Sequence, residues 1–329
     1  MISIIVPIYN RPDEVGELLE SLAVQTVKNF EVVLIEDGSH IPSREVAEQF
    51  AGSLNIRYIA KSNTGRSDSR NVGMREATGD FFLFFDSDCV LPPNYFETLE
   101  KTMGEEDFDC FGGPDAAHET FSNLQKAIGY AMTSFFTTGG IRGGKRSMEK
   151  FMPRTFNMGF SRNVYKTVGG FKDMFGEDID LSMRIREAGF RIVLLHDVFV
   201  YHKRRISLKK FYRQVRNFGK ARISLCLLHP GALKPVHALP AFFSLGVALL
   251  LVLSLVWTPW WLAPLAAYVL LLFFDSWWVT RSLSVAALSV AAAFIQLFGY
   301  GMGFLQSFIE KIIFRKGLED AGYLKKHYK

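Results

Sequence analysis

Two carboxylates, Asp86 and Asp88, stand two positions apart directly after the apolar run Phe81-Phe-Leu-Phe-Phe85. Acids this close repel each other unless a cation lies between them. Carboxylate oxygens are hard ligands that suit Mg2+ or Mn2+, ions that commonly share their shell with substrate phosphates. The plain alternative is a solvated turn that ends a strand, because Asp and Ser favour turns. Two other apolar runs close on polar side chains in the same way. Asn10 follows Ser3-Ile-Ile-Val-Pro-Ile-Tyr9, and Asp37 follows Phe30-Glu-Val-Val-Leu-Ile35. Polar groups gathered at several run ends mark a binding crevice better than any single motif does.

The elements that position these groups can be read from periodicity. Short continuous apolar runs predict strands buried on both faces, as in a parallel sheet. Ile56–Ile59 is a third such run, and Phe108–Gly113, Thr155–Phe160, Arg191–Leu195 and Val198–His202 are further extended segments. Helical spacing appears between them: Val15, Leu18, Leu19 and Leu22 after Pro12, then Ser69 to Ala77, then Leu124, Ala127, Ile128 and Ala131. Strands alternating with helices of this length argue for a mostly parallel α/β sheet. Ligands bind such sheets at the C-terminal ends of the strands, where Asn10, Asp37, Asp86 and Asp88 fall.

The totals set bounds. The chain has 329 residues, is 49% hydrophobic and carries a net charge of +5. Its three cysteines, Cys89, Cys110 and Cys226, make no CxxC pair, so a reducing compartment and no disulfide framework are expected. The start of the chain has no basic segment followed by an apolar one, so no cleavable signal peptide is expected.

Several of these segments resemble the signatures of family 2 glycosyltransferases, in that family's order and spacing. They are Val6-Pro-Ile-Tyr-Asn10, Glu36-Asp-Gly-Ser39, Asn63-Thr-Gly65 with Ser69-Arg-Asn71-Val-Gly73, and Asp86-Ser-Asp88. The resemblance implies a nucleotide-diphospho-sugar transferase fold of the GT-A type on a single Rossmann-like sheet. It implies a UDP- or GDP-sugar donor, with Asp37 at the base and Asp86 near the ribose and sugar. Pro7, Tyr9, Asn10, Asn63, Gly65, Arg70 and Asn71 would complete the donor site. Asp88 would hold Mg2+ or Mn2+ on the diphosphate, and His202 matches a position where family members carry a His at the metal or diphosphate.

The stretch Gly176-Glu-Asp-Ile-Asp180 opens a helix ended by Gly189. Acids at a helix start are favoured by the helix dipole, which explains them without chemistry. Glu177-Asp178 also matches the family's Glu-Asp pair, whose Asp takes the proton from an acceptor hydroxyl. An anionic phosphate acceptor needs no base, so the pair leans toward a hydroxyl. Asp180 reads as a helix-surface residue. Gly112, Gly113 and Asn157 would border the acceptor. Thr137–Arg146 is a basic, Gly-rich loop that could cover the site or meet an anionic acceptor, or could simply be a solvated loop.

Composition changes after His202. Lys203, Lys209, Lys210, Arg213, Arg216, Lys220 and Arg222 come with no acid among them, and Leu208, Phe211, Val215 and Phe218 share one helical face. Residues 203–235 therefore read as a basic amphipathic helix and linker on an anionic membrane surface, not as a nucleic-acid site. Within 236–310, three apolar stretches have about the length of a spanning helix: 239–256, 262–279 (interrupted by Asp275) and 283–309. Gly299, Gly301 and Gly303 allow close helix contact there.

Residues 311–329 form a basic tail. The positive-inside rule asks for both basic segments on the cytoplasmic side, whereas three full spans would separate them. Gln214 and Arg216 loosely resemble the Gln-x-x-Arg-Trp signature of processive synthases. The different spacing, and Phe218 in place of Trp, argue against processive polymerisation.

The expectation is thus a membrane-anchored inverting glycosyltransferase. Residues 1–202 form a cytoplasmic catalytic domain on an inner or plasma membrane, and the acceptor is lipid-linked or membrane-proximal. The alternatives are a polyprenyl-phosphate sugar transferase and an inactive scaffold or export partner that kept the fold. Oligomeric state is left open.

Overall fold

A computed structural model describes residues 1–116, 121–139, 151–203 and 207–316. These fall into two compact units, 1–116 with 151–203 and 121–139 with 207–316. In chain order the elements run β1 (Ile2–Ile8), α1 (Pro12–Ala23), β2 (Phe30–Asp37), α2 (Arg44–Gln49), β3 (Ile56–Lys61), α3 (Arg66–Glu76) and β4 (Phe81–Phe84). Next come β5 (Cys89–Val90), α4 (Tyr95–Glu105), β6 (Cys110–Gly112), β7 (Asp115–Ala116), α5 (Asn123–Thr133) and α6 (Phe135–Thr138). β8 (Met158–Ser161), α7 (Arg162–Val168), α8 (Glu177–Glu187), β9 (Ile192–Leu194) and β10 (Val200–His202) follow. The chain then continues through α9 (Leu208–Leu228), α10 (Leu239–Val256), α11 (Ala263–Thr280) and α12 (Leu283–Phe308).

The first unit holds a seven-stranded sheet in the order β3-β2-β1-β4-β8-β6-β9. β3, β2, β1 and β4 are parallel, and β8 runs antiparallel between β4 and β6. The apolar runs form strands because successive side chains bury on opposite faces. Ile4, Val6, Val32 and Leu34 join one buried cluster with Leu18 and Leu22 of α1. Ile5, Val33, Ile35, Phe82 and Phe84 join another with Met74 of α3 and Leu181 and Ile185 of α8. Each such buried side chain stabilises the fold by about 1.5–3 kcal/mol.

The expected mostly parallel α/β sheet is therefore present, but it is not the single sheet expected. A second, three-stranded sheet has the order β5-β10-β7. It forms because the chain leaves the main sheet after Phe84, turns through Asp86 to Asp88, and pairs again at Cys89–Val90.

Residues 1–202 were expected to form one domain, yet α5 and α6 belong to the second unit. Their apolar face explains this. Ile128, Ala131 and Met132 pack with Leu272 of α11 and Ala292 and Ala293 of α12. Polar contacts reinforce the packing: Asn123 Nδ2 donates to Ser284 Oγ at 3.1 Å, and Tyr268 OH donates to the Phe136 carbonyl at 2.9 Å. The Tyr130 hydroxyl donates to Asp275 Oδ2 at 2.6 Å, which accounts for the one acid in the second apolar stretch.

An ionisable group in such a helix is costly unless it faces a partner. Tyr130→Phe is accordingly expected to loosen α5 by about 0.6–1.7 kcal/mol, read as faster amide hydrogen exchange across α5. Unchanged exchange would show the pair to be incidental.

Among the described residues, three helices are long and apolar enough to cross a membrane: Pro235–Val256, Pro259–Thr280 and Leu283–Ile313. α9 forms where the basic amphipathic helix was expected, but its apolar face is covered by protein. Phe211 and Val215 are fully buried in the cluster with α12. The glycines make this approach possible. A Cβ at Gly303 would lie 2.0 Å from the Arg216 carbonyl, and one at Gly299 would lie 2.5 Å from Val215. Gly301 faces Pro240 of α10 in the same way, at 2.4 Å. Most of the basic Thr137–Arg146 loop and of the tail lies outside the described residues.

Candidate active site

The order β3-β2-β1-β4 reverses its direction of winding between β1 and β4, and such switch points open a crevice at the strand ends. Asn10 and Arg11 follow β1 at this point, and Asp86 and Asp88 follow β4. Asn10 adopts φ +54°, a left-handed conformation that Asn tolerates better than most residues. Its Oδ1 accepts from the His40 and Ile41 amides at 2.7 and 3.1 Å, and its own amide donates to Ser39 Oγ at 2.7 Å. The loops after β1 and β2 are thereby tied together. Buried Glu36 braces the second of them, accepting from Ser39 Oγ, from the Ser43 amide at 2.8 Å and from Tyr58 OH at 2.8 Å.

Asp37 closes β2 and is buried. Its carboxylate accepts from the Thr64 and Gly65 amides at 3.0 and 2.9 Å and from Lys61 Nζ. Burial opposes ionisation of Asp37, but the hydrogen bonds from Lys61, Thr64 and Gly65 outweigh it and hold the carboxyl below its usual range. Gly65 is needed here because it caps α3 at φ +93°, where a side chain would be strained. Asn63 is exposed and donates to the Asp37 carbonyl at 2.9 Å.

Asp86 meets a fully enclosed guanidinium. Arg70 is 1% exposed, and it donates to Asp86 Oδ1 at 2.8 Å and to Glu177 Oε1 at 3.0 Å. Arg66 adds a second cation to Glu177, with Nη2 2.9 Å from Oε2. Both oxygens of Glu177 are therefore engaged by arginines, and α8 is held by its first residue to α3. Removing one partner of a buried ion pair strands the other charge. Arg70→Met is expected to destabilise the first unit by about 3–5 kcal/mol. Arg70→Lys should recover only part of this, because an ammonium cannot fork to both carboxylates. Chemical unfolding followed by fluorescence measures both.

Asp178, the next residue, is held differently. Its Oδ1 accepts from the Ile179 amide at 2.8 Å, and among the described residues its Oδ2 has only a long contact, 3.4 Å, from Arg154 Nη1. Its side chain is 17% accessible, against 3% for Glu177. Of the two acids, Asp178 is the one with an oxygen left to take a proton.

Asp88 sits at the join of the two sheets. β10 pairs antiparallel with β5 so that His202 lies opposite Cys89. This register brings His202 Nε2 to 3.1 Å from Asp88 Oδ1. Arg11 Nη1 reaches Asp88 Oδ2 at 2.6 Å across the switch point. Burial opposes ionisation of Asp88, but His202 and Arg11 outweigh it and hold the carboxyl well below the usual range. Ligand atoms of Asp88, Cys89 and His202 lie within 4.8 Å of one another. The carboxylate and imidazole suit a hard divalent ion. The Cys89 thiol is soft and contacts the Phe156 carbonyl at 3.5 Å, so it fits Mg2+ or Mn2+ poorly.

Residues 3–169, just over half of the chain, match the Glycosyl transferase family 2 profile. The chain belongs to glycosyl transferase family 2. Among relatives of this transferase, Glycosyltransferase AglE of Haloferax volcanii is 25% identical over 251 residues, 74% of this chain and 80% of the relative. An uncharacterised glycosyltransferase of Haemophilus influenzae is 47% identical over 105 residues, 31% of this chain and 33% of its own length.

Among solved structures, the Pyrobaculum calidifontis mannosyltransferase PcManGT, in complex with GDP-Man and Mn2+, superposes with a TM-score of 0.59. The two are 17% identical, over 94% of this chain and 87% of that one. The fold is therefore GT-A-like, a mostly parallel sheet followed here by three long apolar helices. Glu177, Asp178 and His202 lie beyond the segment matched to the family profile, so their place in the site rests on the geometry above.

Some expected contacts of the transferase differ from the structure. Asn157 is fully buried; its amide donates to the Val198 carbonyl at 2.8 Å and accepts from Tyr95 OH at 2.6 Å, so it presents no surface to an acceptor. Gly113 is packing of the same kind, since a Cβ there would lie 1.8 Å from the Val198 carbonyl, and Gly112 abuts Phe151. Asn71 uses both amide atoms on the Phe171 backbone, at 2.8 Å each, joining α3 to the segment that leads into α8. Asp180 is not on the helix surface: it is fully buried between Lys172 and Arg184, whose charges make that burial tolerable.

Pro7 lies within β1, paired with Ile35, and Tyr9 is half exposed beyond its end. Gln214 and Arg216 belong to the second unit, where Arg216 donates to Gln306 of α12 at 2.6 Å. Sequence reasoning missed Arg11, Glu36, Lys61, Arg66 and Arg154. Arg11, Glu36 and Arg66 lie inside or beside the recognised signatures, which was the available signal.

Proposed function

We propose that this transferase moves one sugar from a UDP- or GDP-sugar to a hydroxyl of a lipid-linked or membrane-proximal acceptor, with inversion at the anomeric carbon. The observation that carries the reading is the split between two carboxylates of one crevice. Asp88 is surrounded by cationic and imidazole groups, and Asp178 keeps an oxygen with only a long contact. The first arrangement suits an anionic leaving group with its ion, and the second suits proton removal.

Asp178 Oδ2 takes the proton of the acceptor hydroxyl. The acceptor oxygen then bonds to the anomeric carbon as the bond to the diphosphate oxygen breaks, and the diphosphate leaves with that electron pair. Arg70 holds Asp86 toward the donor sugar and ribose. The base lies at Asp37 and the loop from Lys61 to Gly65 that it organises. Asp88 and His202 would hold Mg2+ or Mn2+, which when bound neutralises charge on the departing diphosphate.

The first unit works on the cytoplasmic face of an inner or plasma membrane. The basic residues of α9 and the three apolar helices support that placement. Incubating the full-length protein in nanodiscs with UDP- and GDP-sugars, Mn2+ and a lipid extract tests the reading. Expected are release of nucleotide diphosphate and a labelled lipid product. Failure of every nucleotide sugar to react would overturn it.

A further inference from the structure

Asp86 and Asp88 each have a guanidinium of their own, and the two guanidiniums are held very differently. Arg70, on Asp86, is 2% accessible at its side chain and is locked at its other end to Glu177. Arg11, on Asp88, is 33% accessible, and among the described residues its hydrogen bond goes to Asp88 alone. The backbone beneath Arg11 is fixed. Asn10 is pinned to the loop after β2, and Pro12 locks the first turn of α1. The side chain is therefore the less enclosed of the two guanidiniums, and it stands on a rigid base at the switch point.

Arg11 and a divalent ion compete for Asp88. With Nη1 on Oδ2 and His202 on Oδ1, both oxygens of the carboxylate are engaged. An ion arriving there is repelled by the guanidinium at short range, so each cation weakens the other's hold on the shared carboxylate. A nucleoside diphosphate changes the balance, because its oxygens accept both an ion and the fork of an arginine.

We propose that Arg11 is an internal counter-cation that competes with the divalent ion for Asp88 and moves to the donor's diphosphate when the ion binds. Resting on the function proposed above, this names Arg11 as the positioning residue that makes metal and donor bind together. Without a donor, Arg11 keeps the ion off; with one, it adds to donor affinity.

Mn2+ binding to the full-length protein, measured by electron paramagnetic resonance with and without UDP or GDP, tests the proposal. For the native protein, nucleotide should tighten Mn2+ by about tenfold or more, within the usual range of coupling between sites. Arg11→Gln should tighten nucleotide-free Mn2+ by a similar factor and remove most of the gain on adding nucleotide. Arg11→Lys, which keeps a charge beside the buried Asp88, should retain part of the coupling and serves if Arg11→Gln folds poorly. Unchanged or weaker nucleotide-free Mn2+ binding in Arg11→Gln, or loss of coupling in Arg11→Lys equal to that in Arg11→Gln, would overturn the role of Arg11. Native protein that fails to bind Mn2+ in the presence of either UDP or GDP would instead overturn the proposed function itself.

Discussion

Asp178→Asn is expected to lower the rate of sugar transfer by about 10²–10⁴-fold, the contribution of a positioned general base. The amide keeps the shape of the side chain and can still accept from the Ile179 amide, so the start of α8 should hold. What is lost is the basic oxygen at Oδ2, whose one contact among the described residues is the long one from Arg154. Donor binding does not use this oxygen and should change less than about threefold, within the scatter of a distant substitution. Glu177→Gln makes the informative contrast. Both Glu177 oxygens are bound to Arg66 and Arg70, so the amide disturbs the arginines and Asp86 rather than proton removal. Its defect should appear in stability and donor affinity together. Initial rates at saturating donor, with calorimetric donor affinities, separate the two cases. Full activity in Asp178→Asn would point to an acceptor that is already anionic, such as a polyprenyl phosphate.

Asp88→Ala is expected to reduce Mn2+-dependent donor binding and turnover by about 100-fold or more, the several kcal/mol that a bound ion contributes to charge stabilisation. His202 and Arg11 would both lose the carboxylate that they hold, in addition to the loss of a ligand for the ion. The main-chain join should survive. It rests on the β5–β10 pairing and on the Lys203 amide, which donates to the Asp88 carbonyl at 3.0 Å. Because Asp88 is held ionised well below the usual carboxylate range, no loss of metal affinity between pH 5 and 8 should arise from its own protonation. Excess Mn2+ is expected to restore little activity to Asp88→Ala, and full rescue would show that the ion is held elsewhere.

The strands and their order of burial were legible because buried parallel strands are written as continuous apolar runs. Phe30–Ile35 and Phe81–Phe85 could scarcely be anything else. Placing Asp37, Asp86 and Asp88 at strand ends followed from that alone. The pairing of β10 with β5 was not legible, since three- and two-residue strands carry no period, and that register alone sets His202 against Asp88. Asn71 and Asn157 match or border recognised signatures, yet both are engaged by neighbouring backbone and side chains. A sequence shows the residue type but not which groups will be buried beside it. The departure of α5 and α6 to the second unit was hidden for a similar reason. Leu124, Ala127, Ile128 and Ala131 define an apolar face without naming what covers it. Asp180 misled in the opposite sense: Arg184 is its i,i+4 neighbour on α8, but Lys172, which encloses it from the other side, is identified only once the turn before α8 is folded.

If Asp88 and its neighbours hold the diphosphate of a nucleotide-sugar donor through a divalent ion, donor binding must depend on that ion. Calorimetric titration of UDP and GDP into the full-length protein, with Mn2+ and then with excess EDTA, tests it most directly. The proposed chemistry predicts binding of at least one nucleotide that requires Mn2+ and that Asp88→Ala abolishes. Binding of equal strength in EDTA, or no binding of either nucleotide with Mn2+ present, would contradict it.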